Sequence, residues 1–207
     1  MTLVDALAAL ASMTSPAFET RDASARLGIA NAHASTLLAR LAAAGHIVRL
    51  RRGVWAFADR VDPLALPEHL TSPLPSYVSL QSALYLHGMI SQMPAVTYAV
   101  SLARTRRFTT PLGTVSIHHV RPTFFFGFEE TARGGRLATA EKALVDLLYL
   151  GPARSKLFRA LPELELPRRF RLSAARAIVG RIESARRRAF VSRALERLVE
   201  AARRTKA

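Results

Sequence analysis

Cysteine is absent from this 207-residue chain, which excludes disulfides and thiolate metal sites and suits a reducing compartment. Acidic side chains are scarce: 15 Asp and Glu stand against 30 Lys and Arg. Lysine is rarer still, at only Lys142, Lys156 and Lys206. Arginine in place of lysine is what a GC-rich genome encodes, but codon bias does not explain the shortage of acids. An unbroken apolar run of the ~20 residues that a membrane span requires is also missing. Residues 69–103 carry no charge apart from histidine, yet Pro73, Pro75, Gly88 and Pro94 interrupt them. The first eleven residues lack the Lys or Arg of a secretory leader, and Asp5 sits in their apolar part, so an amphipathic helix is expected there. These absences together point to a cytoplasmic protein.

Motifs for catalysis and metal binding are missing too. The chain has no glycine-rich phosphate loop, no GxSxG and no HExxH. His118 and His119 are adjacent on an expected strand and face opposite ways, so they do not chelate one metal together. Lys142 and Asp146 read as an i,i+4 surface pair. No catalytic residues, metal or cofactor are expected.

What is present is charge of one sign. The net charge of +15 is uneven: residues 1–70 hold 7 basic against 6 acidic side chains, residues 71–150 hold 7 against 4, and residues 151–207 hold 16 against 5. The excess lies in the C-terminal part, and predicts a polyanionic partner for that part.

The N-terminal pattern predicts how a duplex is met. Leu3, Leu7 and Leu10 give a first helix an apolar stripe. Thr20 is placed to cap a second helix, Arg21–Leu27, which Gly28 ends. Asn31 is placed to cap a third, in which Ala34, Leu37, Leu38 and Leu41 recur at i, i+3, i+4 and i+7. Gly45 closes that helix, and residues 46–57 read as a hairpin turning at ArgArgGly (51–53). Three helices followed by a basic hairpin make a winged helix-turn-helix, spanning residues 1–60. The third helix turns Ala32, Ser35, Thr36, Ala39 and Arg40 outward, with Asn31 and His33 at its N-terminal end, short groups and one arginine suited to base edges. Arg49, Arg51 and Arg52 cluster at the hairpin tip as phosphate contacts.

Four prolines in residues 61–76 read as a stiffened linker. A second, mixed α/β domain is expected over 77–207: a helix at 80–87, strands at 97–102, 114–120 and 123–128, a helix after Thr139, and two closing helices at about 173–183 and 186–202. The expected class is therefore α+β. Arg104, Arg106 and Arg107, in a basic segment between a strand and a turn, and Arg186, Arg187 and Arg188, in the last helix, are further candidate phosphate contacts. The Phe124–Phe126 run reads as core before it reads as a platform for stacked bases.

The order of these segments resembles a known family. After the N-terminal unit come YVSLQSALYLHG (77–88), the TYAVS strand (97–101), the basic RTRRF-like segment, ATAEKALVDLL (138–148) and two helices around SARRR (184–188). The chain is similar over essentially its whole length to the AbiEi-type antitoxins of type IV toxin–antitoxin systems. One departure is Ala140, where proline is common. The resemblance implies a cytoplasmic repressor of its own operon that binds double-stranded DNA at promoter inverted repeats. It also implies opposition to a nucleotidyltransferase-like toxin without a stable complex. Carried over by position, the recognition residues are His33, Ser35, Thr36 and Arg40, and the wing residues Arg49, Arg51 and Arg52. A stand-alone regulator, a DNA-targeted enzyme and a protein adaptor remain the alternatives.

Overall fold

The computed structural model describes residues 2–132, 134–151 and 164–204, with side chains as far as Ala202. Residues 152–163 of the basic C-terminal stretch and the side chains of Arg203 and Arg204 lie outside the described residues. The class is mixed α+β. Helices α1 (Leu3–Ala11), α2 (Thr20–Leu27) and α3 (Asn31–Ala43) come first, with strand β1 (Ala17–Glu19) inserted before α2. Strands β2 (Val48–Arg51) and β3 (Val54–Ala56) follow, and β3 lies between β1 and β2 in an antiparallel sheet.

Local chemistry sets the helix ends. Thr2 and Asp5 form a reciprocal capping box on α1. Glu19 and Asp22 do the same on α2, so Thr20 is the first helical residue and not the expected cap. Its hydroxyl instead accepts from Trp55 Nε1 at 3.0 Å. Asn31 is likewise the first residue of α3; Ala30 stands at the cap and offers no side-chain bond. Gly45, at φ +78°, ends α3 as expected: its N–H donates to Ala42 O and that of His46 to Leu41 O, the paired bonds that a left-handed glycine permits.

Residues 61–76, expected as a linker, are packed. Pro67 falls in the first turn of helix α4 (Leu66–Thr71), where its missing N–H costs nothing. Leu66 and Leu70 are buried one turn apart. They join Leu50, Val54 and Ala56 of the first sheet to Ala99, Val115 and Ile117 of the second in a single apolar cluster.

The second sheet has six strands in the order β6 (Arg106–Thr110), β7 (Gly113–His119), β5 (Thr97–Ser101), β4 (Ser76–Val78), β9 (Arg136–Ala138), β8 (Phe128–Glu130). β5 runs parallel to β7, and β4 parallel to β9. Its far face carries α5 (Leu80–Leu86), α6 (Ala140–Leu150), α7 (Leu172–Gly180) and α8 (Ala185–Arg204) over the largest core. The molecule therefore stacks as helices, small sheet, large sheet, helices. Phe18 and Trp55 face α1–α3 across one side of the small sheet, while Val54 and Ala56 face the large sheet on the other. Period-two alternation in strands makes that division.

Two sequence expectations fail in this half. Residues 123–128 are not a strand: Pro122–Phe124 form a 3-10 turn, and β8 begins only at Phe128. The basic segment expected between strand and turn is largely strand β6 itself.

Candidate nucleic-acid interface

Helix α3 is buried along one side and open along the other. Ala34, Leu37, Leu38 and Leu41 pack against α1, α2 and the small sheet, whereas Asn31, His33, Ser35, Thr36 and Arg40 are all exposed. The open side divides in two. Asn31, Ala32, Ser35 and Ala39 face the β2–β3 hairpin across a groove of about 450 Å3, whose other wall holds Arg49, Arg52 and Trp55. His33, Thr36 and Arg40 lie on the rim away from the hairpin, three and four residues apart as one helical stripe. Among the described residues, no carboxylate lines the groove.

Trp55 fixes the groove wall. Its ring is buried, its N–H is held by Thr20, and the Arg49 guanidinium lies 5.4 Å from the ring centroid. Arg49 is thus aimed by an aromatic face and not neutralised by an acid. Among the described residues, no salt bridge involves Arg40, Arg49 or Arg52. Thr20, Gly53 and Trp55, which sequence reasoning does not place at the site, line it too. The only hint is a lone tryptophan in a short strand beside three arginines.

Arg51 does not join them. A bulge in β2 sets Arg49 opposite Trp55 but Arg51 opposite Val54, so the two arginines leave the sheet on opposite faces. Arg51 is half-buried, and its Nη2 donates to Ser72 O at 3.1 Å. It ties the hairpin to the segment after α4. The expectation that all three arginines stand free at the tip is corrected for this one.

Thr36 is also partly committed, since its hydroxyl donates to Ala32 O at 3.2 Å. Having donated its one hydrogen, the exposed hydroxyl still offers its lone pairs as acceptors.

The further candidates separate as well. Arg104, Arg106 and Arg107 are exposed, and β6 lies beside β2; Arg106, paired with Ile117, shares the face toward the hairpin, whereas Arg107, paired with Ser116, leaves the strand on the opposite face. Arg106 lies 4.9 Å from the Phe108 ring centroid. In the last helix Arg186 is exposed, but Arg187 donates to Tyr149 O at 2.8 Å and Arg188 to Ile182 O at 2.9 Å. The latter two pin the α7–α8 junction.

Lys142 and Asp146 are not the surface pair that their spacing suggested. Both are fully buried and bonded to each other, and Asp146 also accepts from Tyr77 (3.0 Å) and Ser79 (2.8 Å). The Lys142 ammonium lies 4.1 Å from the Phe124 centroid and 5.0 Å from that of Phe126. Burial lowers the Lys142 pKa while Asp146 raises it, and burial with the Asp146 charge holds the Tyr77 phenol well above its ordinary range. The phenylalanine run is therefore core, spent on covering a cation.

These observations leave α3 and the hairpin as the exposed, unneutralised surface of the N-terminal unit. Residues 5–58 match a family of AbiEi antitoxin transcriptional regulators. The match begins within α1 and ends just after β3, and so covers the groove on both walls. No curated protein matches the chain. Among the described residues, no helix is long and apolar enough to cross a membrane.

Proposed function

We propose that the protein is a double-stranded DNA-binding regulator that uses α1–α3 and the β2–β3 hairpin as a winged helix-turn-helix. In this reading α3 enters the major groove and the hairpin follows the adjacent backbone. The observation that carries it is the groove itself. A helix face of small polar residues stands opposite two arginines with no acid partner, which is what close approach to bases plus charge neutralisation requires.

The roles follow from the geometry. Ser35 and Asn31 contact base edges or phosphate from the groove side. Thr36 offers its methyl to a thymine and its lone pair to an exocyclic amine, while Arg40 and His33 take a guanine or phosphate along the rim. Arg49 and Arg52 hold the backbone, and Arg104 and Arg106 lengthen that track. The family match supports an antitoxin that acts as a transcriptional regulator, and the proposal extends this to repression of its own promoter through inverted repeats. Opposition to a nucleotidyltransferase-like toxin without a stable complex is part of the same proposal. A neighbouring reading frame for such an enzyme would favour it over a stand-alone regulator.

The test is an anisotropy titration of the full chain on its promoter duplex and on a random duplex at several salt concentrations. The double substitution Arg49→Ala/Arg52→Ala is expected to weaken both duplexes alike. It should also flatten the log–log salt slope by about 2, roughly one unit for each phosphate no longer neutralised. Ser35→Ala with Thr36→Val should weaken only the promoter duplex. An unchanged salt slope, or equal affinity of the parent protein for both duplexes, would overturn the assignment.

A further inference from the structure

A second basic cavity lies outside that groove and shares no residue with it. It opens at the carboxyl end of β7, under the α7–α8 junction, with a volume of about 380 Å3. Ligand cavities of a few hundred Å3 are ordinary, and the carboxyl edge of parallel strands is where open sheets of this kind commonly place them. β5 and β7 supply such a parallel edge, ending at Ser101 and His119.

Arg121, Arg181 and Arg187, together with His119, line the cavity against one carboxylate, Glu183. How those arginines are held is the informative part. Two other arginines of this domain are neutralised by acids: Arg176 forks onto Glu196 at 2.8 and 2.9 Å, and Arg136 meets Glu68 at 2.7 Å. Here two are held by rings. The Arg181 guanidinium lies 3.4 Å from the Phe126 centroid, and that of Arg187 lies 5.0 Å from Tyr149 while donating to its carbonyl. Arg121 reaches Glu183 only at 3.7 Å, and both side chains are largely exposed.

Stacking fixes the plane of a guanidinium and leaves its N–H edge free to donate. The Arg181 fork, the donors of Arg187 that Tyr149 O does not take, and Arg121 surround one concavity with a single weakly engaged acid, and make a preorganised site for several adjacent anionic oxygens. The aromatic rings do not present a free face to match. Phe124 is buried, with Tyr149 stacked on it at 4.3 Å and Lys142 at 4.1 Å. The cavity therefore recognises charge before it recognises a flat ring. We infer that it binds an oligophosphate group, carried by a nucleoside triphosphate or by a free phosphate chain.

Titration calorimetry on the full chain at low salt tests this with tripolyphosphate, ATP, GTP and adenosine. One oligophosphate per chain is expected to bind, and adenosine is not. Arg181→Gln and Arg121→Gln should each weaken binding about tenfold or more, the loss of a charged hydrogen bond. Arg176→Gln, which removes an equal charge from the α7–α8 surface, should change it less than twofold. Nucleotides that bind tighter than tripolyphosphate identify the nucleotide as the source; equal affinities identify the phosphate chain. The inference is overturned if no oligophosphate binds, or if Arg181→Gln and Arg176→Gln weaken binding equally, which would mean diffuse attraction to a cationic protein. It is also overturned if Arg181→Gln weakens only duplex binding, which would assign the cavity to the DNA backbone. The groove reading is tested separately through Arg49 and Arg52 and survives any of these results.

Discussion

Replacing Asp146 with alanine removes the counter-ion of a fully buried ammonium. In the parent protein, burial lowers the Lys142 pKa and Asp146 opposes that shift. Without Asp146 only the lowering influence of burial and of Arg181 remains. Lys142 must then stay charged without a partner or give up its proton. At pH 7, neutralising an ordinary lysine costs about 4.6 kcal/mol, so that figure caps the charge penalty. Tyr77 and Ser79 also lose their shared acceptor. We expect a loss of about 5 kcal/mol, near the top of the range for breaking one partner of a buried pair. In a chain of this size that lowers the melting temperature by roughly 10–20 °C.

The loss should depend on pH with a definite sign. The folded variant is expected to hold Lys142 neutral, whereas in the unfolded chain it binds a proton up to about pH 10.4. The unfolded state holds the extra proton, so stability rises with pH through that window by ~1.4 kcal/mol per unit. Urea unfolding of parent and variant at pH 7 and pH 9 reads the gap, which should narrow. Lys142→Met/Asp146→Asn keeps an oxygen for Tyr77 and Ser79 without either charge, and should recover most of the loss even if the single variant fails to fold. A single variant within about 1 kcal/mol of the parent at pH 7, or a gap that does not narrow between pH 7 and pH 9, would refute the reasoning.

Two other perturbations test the packing. His69 has a buried Nε2 with no hydrogen-bond partner, and burial lowers its pKa, as it does for His118. The unfolded chain therefore binds more protons on the acid side, and stability should climb as pH rises toward the unfolded value of about 6.5. Denaturant midpoints of His69→Leu between pH 5 and 7 should show a shallower climb than those of the parent. Gly135→Ala would place a Cβ 2.6 Å from the Leu64 carbonyl carbon and 2.8 Å from Ala65 N, backbone atoms that cannot swing aside. A loss of about 2 kcal/mol or more is expected by thermal melting. Gly180→Ala, with nothing within 4 Å, should be neutral or slightly stabilising.

Legibility in the sequence follows the range of the interactions. The stripe of α3 and the glycine that ends it are set within one or two turns, and both are readable. The caps of α2 and α3 each fall one residue earlier than expected; at α2 the reason is that Thr20 is claimed by Trp55, 35 positions away. Arg51 leaves its expected place because a bulge breaks the alternation between it and Arg49, and sequence spacing alone does not show a bulge. Strands β4 and β9, three residues each, are too short to show a period. The Lys142–Asp146 spacing is that of a solvated pair. What buries it is Tyr77 and the phenylalanine run, brought in from distant segments. The three consecutive phenylalanines are a clue that something needs covering, though not what.

The small sheet has no solvent-facing side to spare: α1–α3 occupy one surface, and α4 with the large sheet occupies the other. If this unit reads DNA as proposed, it does not swivel on a tether to search for its target. The angle at which it presents α3 is inherited from the body behind it. Any pair of copies that meet through their bodies would then hold their heads at one set separation, like the jaws of a fixed-gap gauge. Half-site spacing would be written into the rigid frame and not negotiated by a flexible strap.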